Sequence, residues 1–226
     1  MLGRIRAALK TARLPSARAV LVPEPRPVPA DTASLVADFT RELDAIGVKS
    51  YSPAAAGDAI QLVIERVRAR SREYGEAGRV ELLTWADEEI PIPGLGEALR
   101  AAGFVRLDAQ VPAEPEARRG RLAELGRAAV GVTGARAGLA DTGTLVLACG
   151  ARRPRLASLL PPVHIAILSR RALYSTMADF FAAEPELARE ASNLVFITGP
   201  SRTADIEQTL TLGVHGPREV HVVLVE

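Results

Sequence analysis

The sequence predicts an α/β protein built as a three-layer sandwich around a largely parallel sheet. Short apolar segments typical of buried strands alternate along the chain with longer segments that have the apolar spacing of helices. One strand candidate, at residues 129–134, is apolar on both faces, which is the pattern of a strand covered by helices on both sides. With 226 residues, 48% of them apolar and 4% aromatic, the chain is long enough to bury an aliphatic core.

The first 29 residues are predicted to form a helical arm and a proline-rich linker, separate from an α/β domain at residues 30–226. Leu2–Arg13 has apolar residues at helical spacing. Four prolines then follow between Pro23 and Pro29, a density that neither a helix interior nor a central strand tolerates. We therefore expect the domain to fold without the arm.

The first half of the domain predicts helices and strands in turn. Gly47 ends one helix as a C′ residue, and Asp58 begins the next, with Gln61 three residues on as in a capping box. The predicted elements are a helix from Asp31 or Thr32 to Ile46, a strand at Val48–Tyr51, a helix from Asp58, a strand at Val80–Trp85, a helix at Gly94–Ala102, a return to the sheet at Gly103–Val105 and a charged helix at Arg118–Arg127.

The second half is richer in strands. Ala129–Gly134 is apolar on both faces and therefore predicts a central strand. The elements predicted after it are a turn and strand at Leu139–Ala148, a strand at His164–Ser169, a helix at Arg171–Ala183, a strand at Asn193–Thr198, a helix at Ala204–Leu212 and a strand at Val220–Val225.

Composition argues against several function classes. The 28 basic and 27 acidic residues give a net charge of +1, without the clustered basic excess of nucleic-acid-binding proteins. The longest apolar runs fall well short of the ~20 residues that span a membrane. Cys149 is the only cysteine, whereas an iron–sulfur cluster takes about four, and the three histidines lack the spacing of a metal site. We expect a cytoplasmic protein without a metal or a cofactor of its own.

The loop at residues 199–203, between a predicted strand and a predicted helix, is the first candidate site. Free backbone N–H groups at the start of the helix could bind an anion, with Arg202 as a charged partner. Alternatively, Ser201 caps the helix and nearby acidic residues complement its dipole, so that no ligand is needed. The ligand-binding candidates of this loop are Gly199, Ser201, Arg202 and Thr203.

Two further loops offer polar side chains. Asp141 precedes a predicted strand and could act as a catalytic base, or could bond its own backbone in a turn. His215, in the loop before the last strand, could be a general base near neutral pH or a structural hydrogen-bonding group. Further ligand-binding candidates are Thr133, Thr142, Gly143 and Thr144. Because loops at the carboxyl ends of parallel strands meet at one edge of a sheet, where ligands bind, we expect these candidates to converge on one crevice there.

Three blocks of the sequence carry a resemblance. They are Gly131–Thr144, Leu160–Ile165, and Thr198–Glu207 together with Gly213–Arg218. The blocks, which fall in residues 128–226, resemble the LUD-domain family, and specifically its lactate utilisation protein C (LutC/YkgG) group. The family often has Glu where this chain has Asp141, so the carboxylate is kept on a shorter side chain.

The resemblance implies a fold similar to the sugar-phosphate isomerase and CoA-transferase (NagB/RpiA-like) superfamily. It also implies a role in oxidising L-lactate to pyruvate alongside iron–sulfur partner proteins, with this chain as a catalytic or a non-catalytic, ligand-binding subunit. From the residues, the expected ligand is a small anion. The alternatives are an independent enzyme acting on a sugar-phosphate, acyl-CoA or folate-like substrate, with Asp141 or His215 as base, and a structural scaffold.

Overall fold

A six-stranded parallel sheet forms the centre of the molecule. The computed structural model describes residues 31–74, 80–204, 210–213 and 215–226. The strands of this main sheet are β1 (Lys49–Tyr51), β2 (Glu81–Thr84), β3 (Val105–Leu107), β4 (Val130–Gly134), β7 (Val163–Ser169) and β12 (Glu219–Val225). They lie in the order β1-β12-β7-β4-β2-β3, and every neighbouring pair is parallel. The predicted α/β class with a largely parallel sheet is confirmed.

Six α-helices accompany the strands in the described residues. They are α1 (Thr32–Ala45), α2 (Ala56–Tyr74), α3 (Leu95–Ala101), α4 (Pro115–Leu125), α5 (Met177–Ala183) and α6 (Leu187–Glu190). Helix α1 begins as expected, because the Asp31 carboxylate accepts a hydrogen bond of 2.7 Å from the Ser34 N–H. Helix α2 begins earlier than expected, so Asp58 lies in its first turn.

The hydrophobic core surrounds the middle strands of the main sheet. Strand β4 is buried along its whole length, and the apolar side chains of β7 and β12 are also buried. Helices α1 and α2 contribute Phe39 and Val63, both fully buried, to the same core. Strands without a polar face are stable here because helices cover the sheet.

A second sheet of four strands was not predicted. Its members are β5 (Ala137–Leu139), β6 (Thr144–Cys149), β8 (Leu173–Tyr174) and β9 (Asn193–Ile197), in the order β8-β5-β6-β9. Strand β6 is antiparallel to both of its neighbours. The chain reverses between β5 and β6 at Gly143, whose φ of +64° suits a residue without a Cβ. The predicted strands at residues 144–148 and 193–198 are correct, but they belong to this second sheet.

The predicted helix at Ala204–Leu212 is wrong. The structure instead has β10 (Arg202–Ala204) and β11 (Leu210–Leu212) as an antiparallel pair, with Thr203 opposite Thr211. Residues 205–209 lie outside the described residues. The β-branched threonines of this segment favour extended backbone, a local preference that outweighed the helical spacing of its apolar residues. Gly213, with φ +78°, therefore follows a strand and is not the end of a helix.

The predicted helix at Arg171–Ala183 is only partly correct. Its first residues form a 3-10 turn and then the short strand β8, so the α-helix begins at Met177. Thr176 caps that helix, since its Oγ1 accepts from the Asp179 N–H at 3.2 Å and donates to the Asp179 carboxylate at 2.7 Å. The predicted N-terminal arm and linker lie outside the described residues.

Candidate functional site

A chain of threonine hydroxyls links the predicted site loops. Thr144 Oγ1 lies 2.8 Å from Thr142 Oγ1 on one side and 2.8 Å from Thr198 Oγ1 on the other. Thr198 ends the segment that pairs with β6, so the register of β6 and β9 brings the two loops together. Two of the sequence blocks therefore meet in the fold.

Both loops pack against the C-terminal end of α1. A Cβ on Gly143 would lie 3.0 Å from backbone atoms of Glu42 and Leu43, so only glycine fits without displacing the helix. Gly199 has a φ of +88° and packs against Ile46. The Arg202 guanidinium donates a hydrogen bond to the Ile46 carbonyl oxygen, which satisfies a carbonyl at the helix end.

The loop before β12 completes this region. The Ser201 N–H donates to the Pro217 carbonyl at 2.9 Å, and the Gly213 N–H donates to the Ser201 carbonyl at 2.9 Å. His215 lies exposed in the same loop. We call the assembled region the helix-end cluster, which consists of Asp141, Thr142, Gly143, Thr144, Gly199, Ser201, Arg202 and His215. Thr203 follows on β10. The structure thus brings these candidates into one region.

The position of the helix-end cluster differs from the expectation in two ways. Ser201 does not precede a helix, so the expected N-terminal N–H groups are replaced by the β10–β11 pair. The cluster also lies at the amino edge of the main sheet, since the end of α1 precedes β1 and the His215 loop precedes β12. The expectation of a carboxyl-edge crevice was wrong because β6 and β9 belong to the second sheet.

Thr133 stands apart from the cluster. It is fully buried on β4, and its Oγ1 lies 2.9 Å from Nε2 of His164 on the neighbouring strand. Burial, and secondarily the nearby His221, lower the pKa of His164 from 6.5 to about 3, so this imidazole is neutral at physiological pH. The contacts of Thr133 are those of a structural residue within the sheet.

The exposed side of the helix-end cluster presents four different polar groups. Asp141, Thr142, Arg202 and His215 are exposed and offer a carboxylate, a hydroxyl, a guanidinium and an imidazole. Thr142 Oγ1 lies 3.2 Å from the Asp141 carboxylate, and the Asp141 N–H donates to the Ser175 carbonyl at 3.1 Å. Exposed groups of these kinds have the chemistry that hydrogen-bonds a carboxylate and a neighbouring hydroxyl.

A second polar network, around Glu219, was missed. The Glu219 carboxylate contacts His221 Nε2 at 3.2 Å, Arg70 Nε at 3.0 Å and the Tyr74 hydroxyl at 3.1 Å. The Tyr51 hydroxyl lies 3.1 Å from the other ring nitrogen of His221, Nδ1. Burial alone would raise the pKa of Glu219, but the hydrogen bond from His221 and the charge of Arg70 lower it. Burial lowers the pKa of His221. Only the i, i+2 spacing of Glu219 and His221 could have indicated this network.

A cavity of about 720 Å³ was also missed. It opens beyond the carboxyl ends of β2 and β3, at the opposite edge of the main sheet from the helix-end cluster. Its charged residues come from separate segments and form no motif, so only weak sequence signals indicate the cavity. Polar residues after a predicted strand, at Asp87 and Asp108, were the available indication.

Neither a metal centre nor a membrane-spanning helix is found in the described part of the chain. No group of three or more His, Cys, Asp or Glu residues is placed there to hold a metal ion. Within the same residues, no helix is both long and apolar enough to cross a bilayer.

Comparison with solved structures shows the fold. A DUF162 family protein from Deinococcus radiodurans, known from a crystal structure, superposes with a TM-score of 0.56 at 23% identity. The superposition covers 88% of this chain and 100% of that chain. The likeness to the sugar-phosphate isomerase and CoA-transferase superfamily stays a prediction.

Comparison with curated sequences shows the family. Lactate utilization protein C of an Exiguobacterium species is 41% identical over 50% of this chain and 49% of its own length. The chain thus spans about half the length of that relative. Lactate utilization protein C of a Geobacillus species is 33% identical over 79% of this chain and 76% of its own length. Residues 36–225 match the LUD domain. The chain belongs to the LUD domain family and, within it, groups with the proteins called lactate utilization protein C.

Proposed function

We propose that this chain is a cytoplasmic component of an L-lactate utilisation system and supports the oxidation of L-lactate to pyruvate together with iron–sulfur partner proteins. The observation that carries the proposal is the family match across residues 36–225, with relatives named for lactate utilisation. Neither the ligand nor the partners follow from the family match, so each is argued separately from the chain's own residues.

The chemistry of the reaction calls for partners that carry electrons. Oxidation of a 2-hydroxy acid to a 2-oxo acid releases two electrons and two protons, and an iron–sulfur cluster takes about four cysteine ligands. This chain has one cysteine, Cys149, which is buried, and burial raises the pKa of its thiol. A buried, protonated thiol is a poor ligand. We therefore assign the iron–sulfur clusters to the partner proteins.

A surface for such a partner lies beside the second sheet. Met177 and Phe181 are 44% and 38% exposed and are the large apolar side chains that lie most open to solvent among the described residues. Phe181 packs against Phe196 of β9, with ring centroids 6.0 Å apart. Exposed apolar side chains next to a sheet are a frequent element of protein interfaces.

The ligand of this proposal is a small 2-hydroxy or 2-oxo acid at the helix-end cluster. Arg202 uses one guanidinium N–H on the Ile46 carbonyl, and the group has five N–H donors in all, so others remain for a carboxylate. Thr142 and Asp141 are placed to bond a ligand hydroxyl. His215, in the adjoining loop, is the candidate for proton transfer.

Growth on L-lactate tests the proposal in the cell. A strain that lacks this protein should lose growth on L-lactate and keep growth on glucose, and the parent chain should restore it. The double substitution Arg202→Ala and Asp141→Ala should fail to restore growth. Arg189→Ala with Glu186→Ala, which removes an exposed ion pair on α6, is the matched control. Normal growth of the deletion strain on L-lactate would contradict the proposal.

The cavity at the opposite sheet edge favours a second candidate function. Its volume of about 720 Å³ is typical of sites for ligands much larger than lactate. An independent enzyme acting on a sugar-phosphate, acyl-CoA or folate-like substrate would use such a site. Neighbouring genes for two cysteine-rich proteins would favour the first candidate, and turnover by the isolated chain would favour the second.

A further inference from the structure

The cavity borders, at β2, the point where the strand order of the main sheet changes direction, although no residue of β4 lines it. Strand β4 neighbours β2 on one side, and β3 neighbours β2 on the other. The chain leaves β2 towards β3 and later leaves β4 towards β7, so the connections diverge at the carboxyl ends of β2 and β4. Such a switch point is the usual ligand position in open parallel sheets.

The walls of the cavity come from four segments that are tied together. They are the turn after β2, helix α3, the residues that follow β3, and residues 150–154 after β6. The Ala86 N–H donates to the Arg152 carbonyl at 2.9 Å, and the Trp85 indole N–H donates to the Pro154 carbonyl at 3.2 Å. These bonds hold the 150–154 segment against β2, so the cavity is formed in advance of any ligand.

The interior is apolar except for one hydroxyl. Buried apolar side chains line it, namely Leu82, Ile90, Leu95, Leu99 and Phe104. Leu82 and Thr84 are two residues apart and so lie on the same face of β2, and both line the cavity. Thr84 is 7% exposed, and its Oγ1 finds no hydrogen-bond partner among the described residues. A buried hydroxyl without a partner is costly, and this one lies behind the apolar lining of the cavity.

The rim carries arginines that are only partly neutralised. Arg106 Nη1 lies 3.0 Å and Arg100 Nη1 lies 4.0 Å from the same carboxylate, that of Asp87. Both guanidinium groups remain accessible, with side chains 43% and 65% exposed. Arg152 pairs with Glu88 at the mouth, and the Asp108 carboxylate accepts from the Gln110 N–H at 3.0 Å. The two arginines that share Asp87 can therefore accept a second anionic group.

We propose that this cavity binds an amphipathic organic anion, with an apolar or aromatic body inside and a carboxylate or phosphate at the Arg100–Arg106 rim. The volume of about 720 Å³ lies in the range of sites for drug-sized molecules, so lactate or pyruvate would leave most of it unfilled. The inference does not depend on the proposed role in lactate oxidation.

The protein contains its own reporter for this site. Trp85 is the only tryptophan of the chain, is 2% exposed, and bonds Pro154, which lines the cavity. The probe is 8-anilinonaphthalene-1-sulfonate, which combines an aromatic body with an anionic group. We expect it to quench Trp85 emission with one-site saturation. N-Phenyl-1-naphthylamine, with the same body and no charge, should bind at least about tenfold more weakly, the usual effect of losing a charged hydrogen bond.

Four variants of the full chain locate the binding. Ala151→Phe places a ring at the cavity mouth and should abolish quenching, with Ala109→Phe as a second blocking variant if the first does not fold. Arg106→Gln should weaken the probe about tenfold. Ala33→Phe, at an exposed alanine on α1, should bind as the parent does. Absence of saturable quenching in the parent chain would overturn the proposed site. Probe binding by both blocked variants as tight as by the parent would also overturn it. Equal binding of the neutral compound would overturn its anionic specificity.

Discussion

At the level of single residues, we expect the buried histidines to lower the free energy of unfolding in acid. Burial lowers the pKa of His164 to about 3 and also lowers that of His221, whereas an unfolded histidine titrates near 6.5. Below pH 6.5 the unfolded chain therefore binds protons that the folded chain does not. The contribution of neutral His164 to the free energy of unfolding is complete above pH 6.5. It is lost as the pH falls towards 3, by about 1.4 kcal/mol per pH unit.

Substitution of His164 tests this acid sensitivity. His164→Gln should flatten the dependence of the unfolding free energy on pH between 6.5 and 4, measured by urea denaturation at several pH values. The control is Ala33→Gln, at an exposed residue of α1 that does not titrate, which should leave the slope unchanged. An unchanged slope in His164→Gln would show that other groups carry the acid sensitivity.

Thr84 and Thr133 form a matched pair of buried threonines. Thr84 lacks a hydrogen-bond partner among the described residues, whereas Thr133 bonds His164 at 2.9 Å. Thr84→Val should raise the unfolding free energy of the ligand-free protein by about 1 kcal/mol, because an unpaired buried hydroxyl is removed. Thr133→Val should lower it by a similar amount. Thermal unfolding of both variants checks the signs, and a fall in Thr84→Val would mean that its hydroxyl is already satisfied.

At the level of secondary-structure elements, the sequence predicted the strands of the main sheet well. Strands β4, β7 and β12 are apolar on both faces, and that pattern arises only when both faces are covered. The second sheet was missed because its strands have the same composition, and the sheet to which a strand belongs depends on long-range pairing. The β10–β11 pair was missed because a short segment with apolar residues at helical spacing can also form strands.

The contact between the β5–β6 turn and α1 is predicted to depend on Gly143. An alanine there would adopt a φ of +64° and place its Cβ 3.0 Å from the backbone of Glu42 and Leu43. Gly143→Ala should lower the unfolding free energy by about 1–3 kcal/mol. Gly120→Ala, inside α4 where an added Cβ meets nothing within 4 Å, should instead raise it slightly. Equal effects of the two substitutions would contradict the packing described for Gly143.

The candidate site was predicted less well than the fold. The sequence blocks indicated the loops of the helix-end cluster, and the β6–β9 pairing does bring Thr144 and Thr198 together. Their position at the amino edge could not be predicted, since it depends on which sheet each strand joins. The cavity is assembled from four separate segments, so no local sequence pattern predicts it.

At the level of the whole molecule, the domain should fold without its N-terminal segment. The LUD domain match begins at residue 36, and the proline-rich stretch ends at Pro29. Deletion of residues 1–20 should leave a protein that melts cooperatively, with a midpoint within a few degrees of the full chain, as calorimetry would show. Loss of cooperative unfolding would mean that the segment contributes to the core.

Reconstitution of lactate oxidation from purified proteins tests whether this chain is required for the reaction. The chain would be combined with candidate iron–sulfur partner proteins from the same organism, and L-lactate-dependent reduction of a dye would be measured with each component omitted in turn. We predict that the complete mixture reduces the dye and forms pyruvate, and that omission of this chain abolishes or strongly slows the reaction. Full activity in the absence of this chain, under conditions where the partners are saturated with iron, would contradict it.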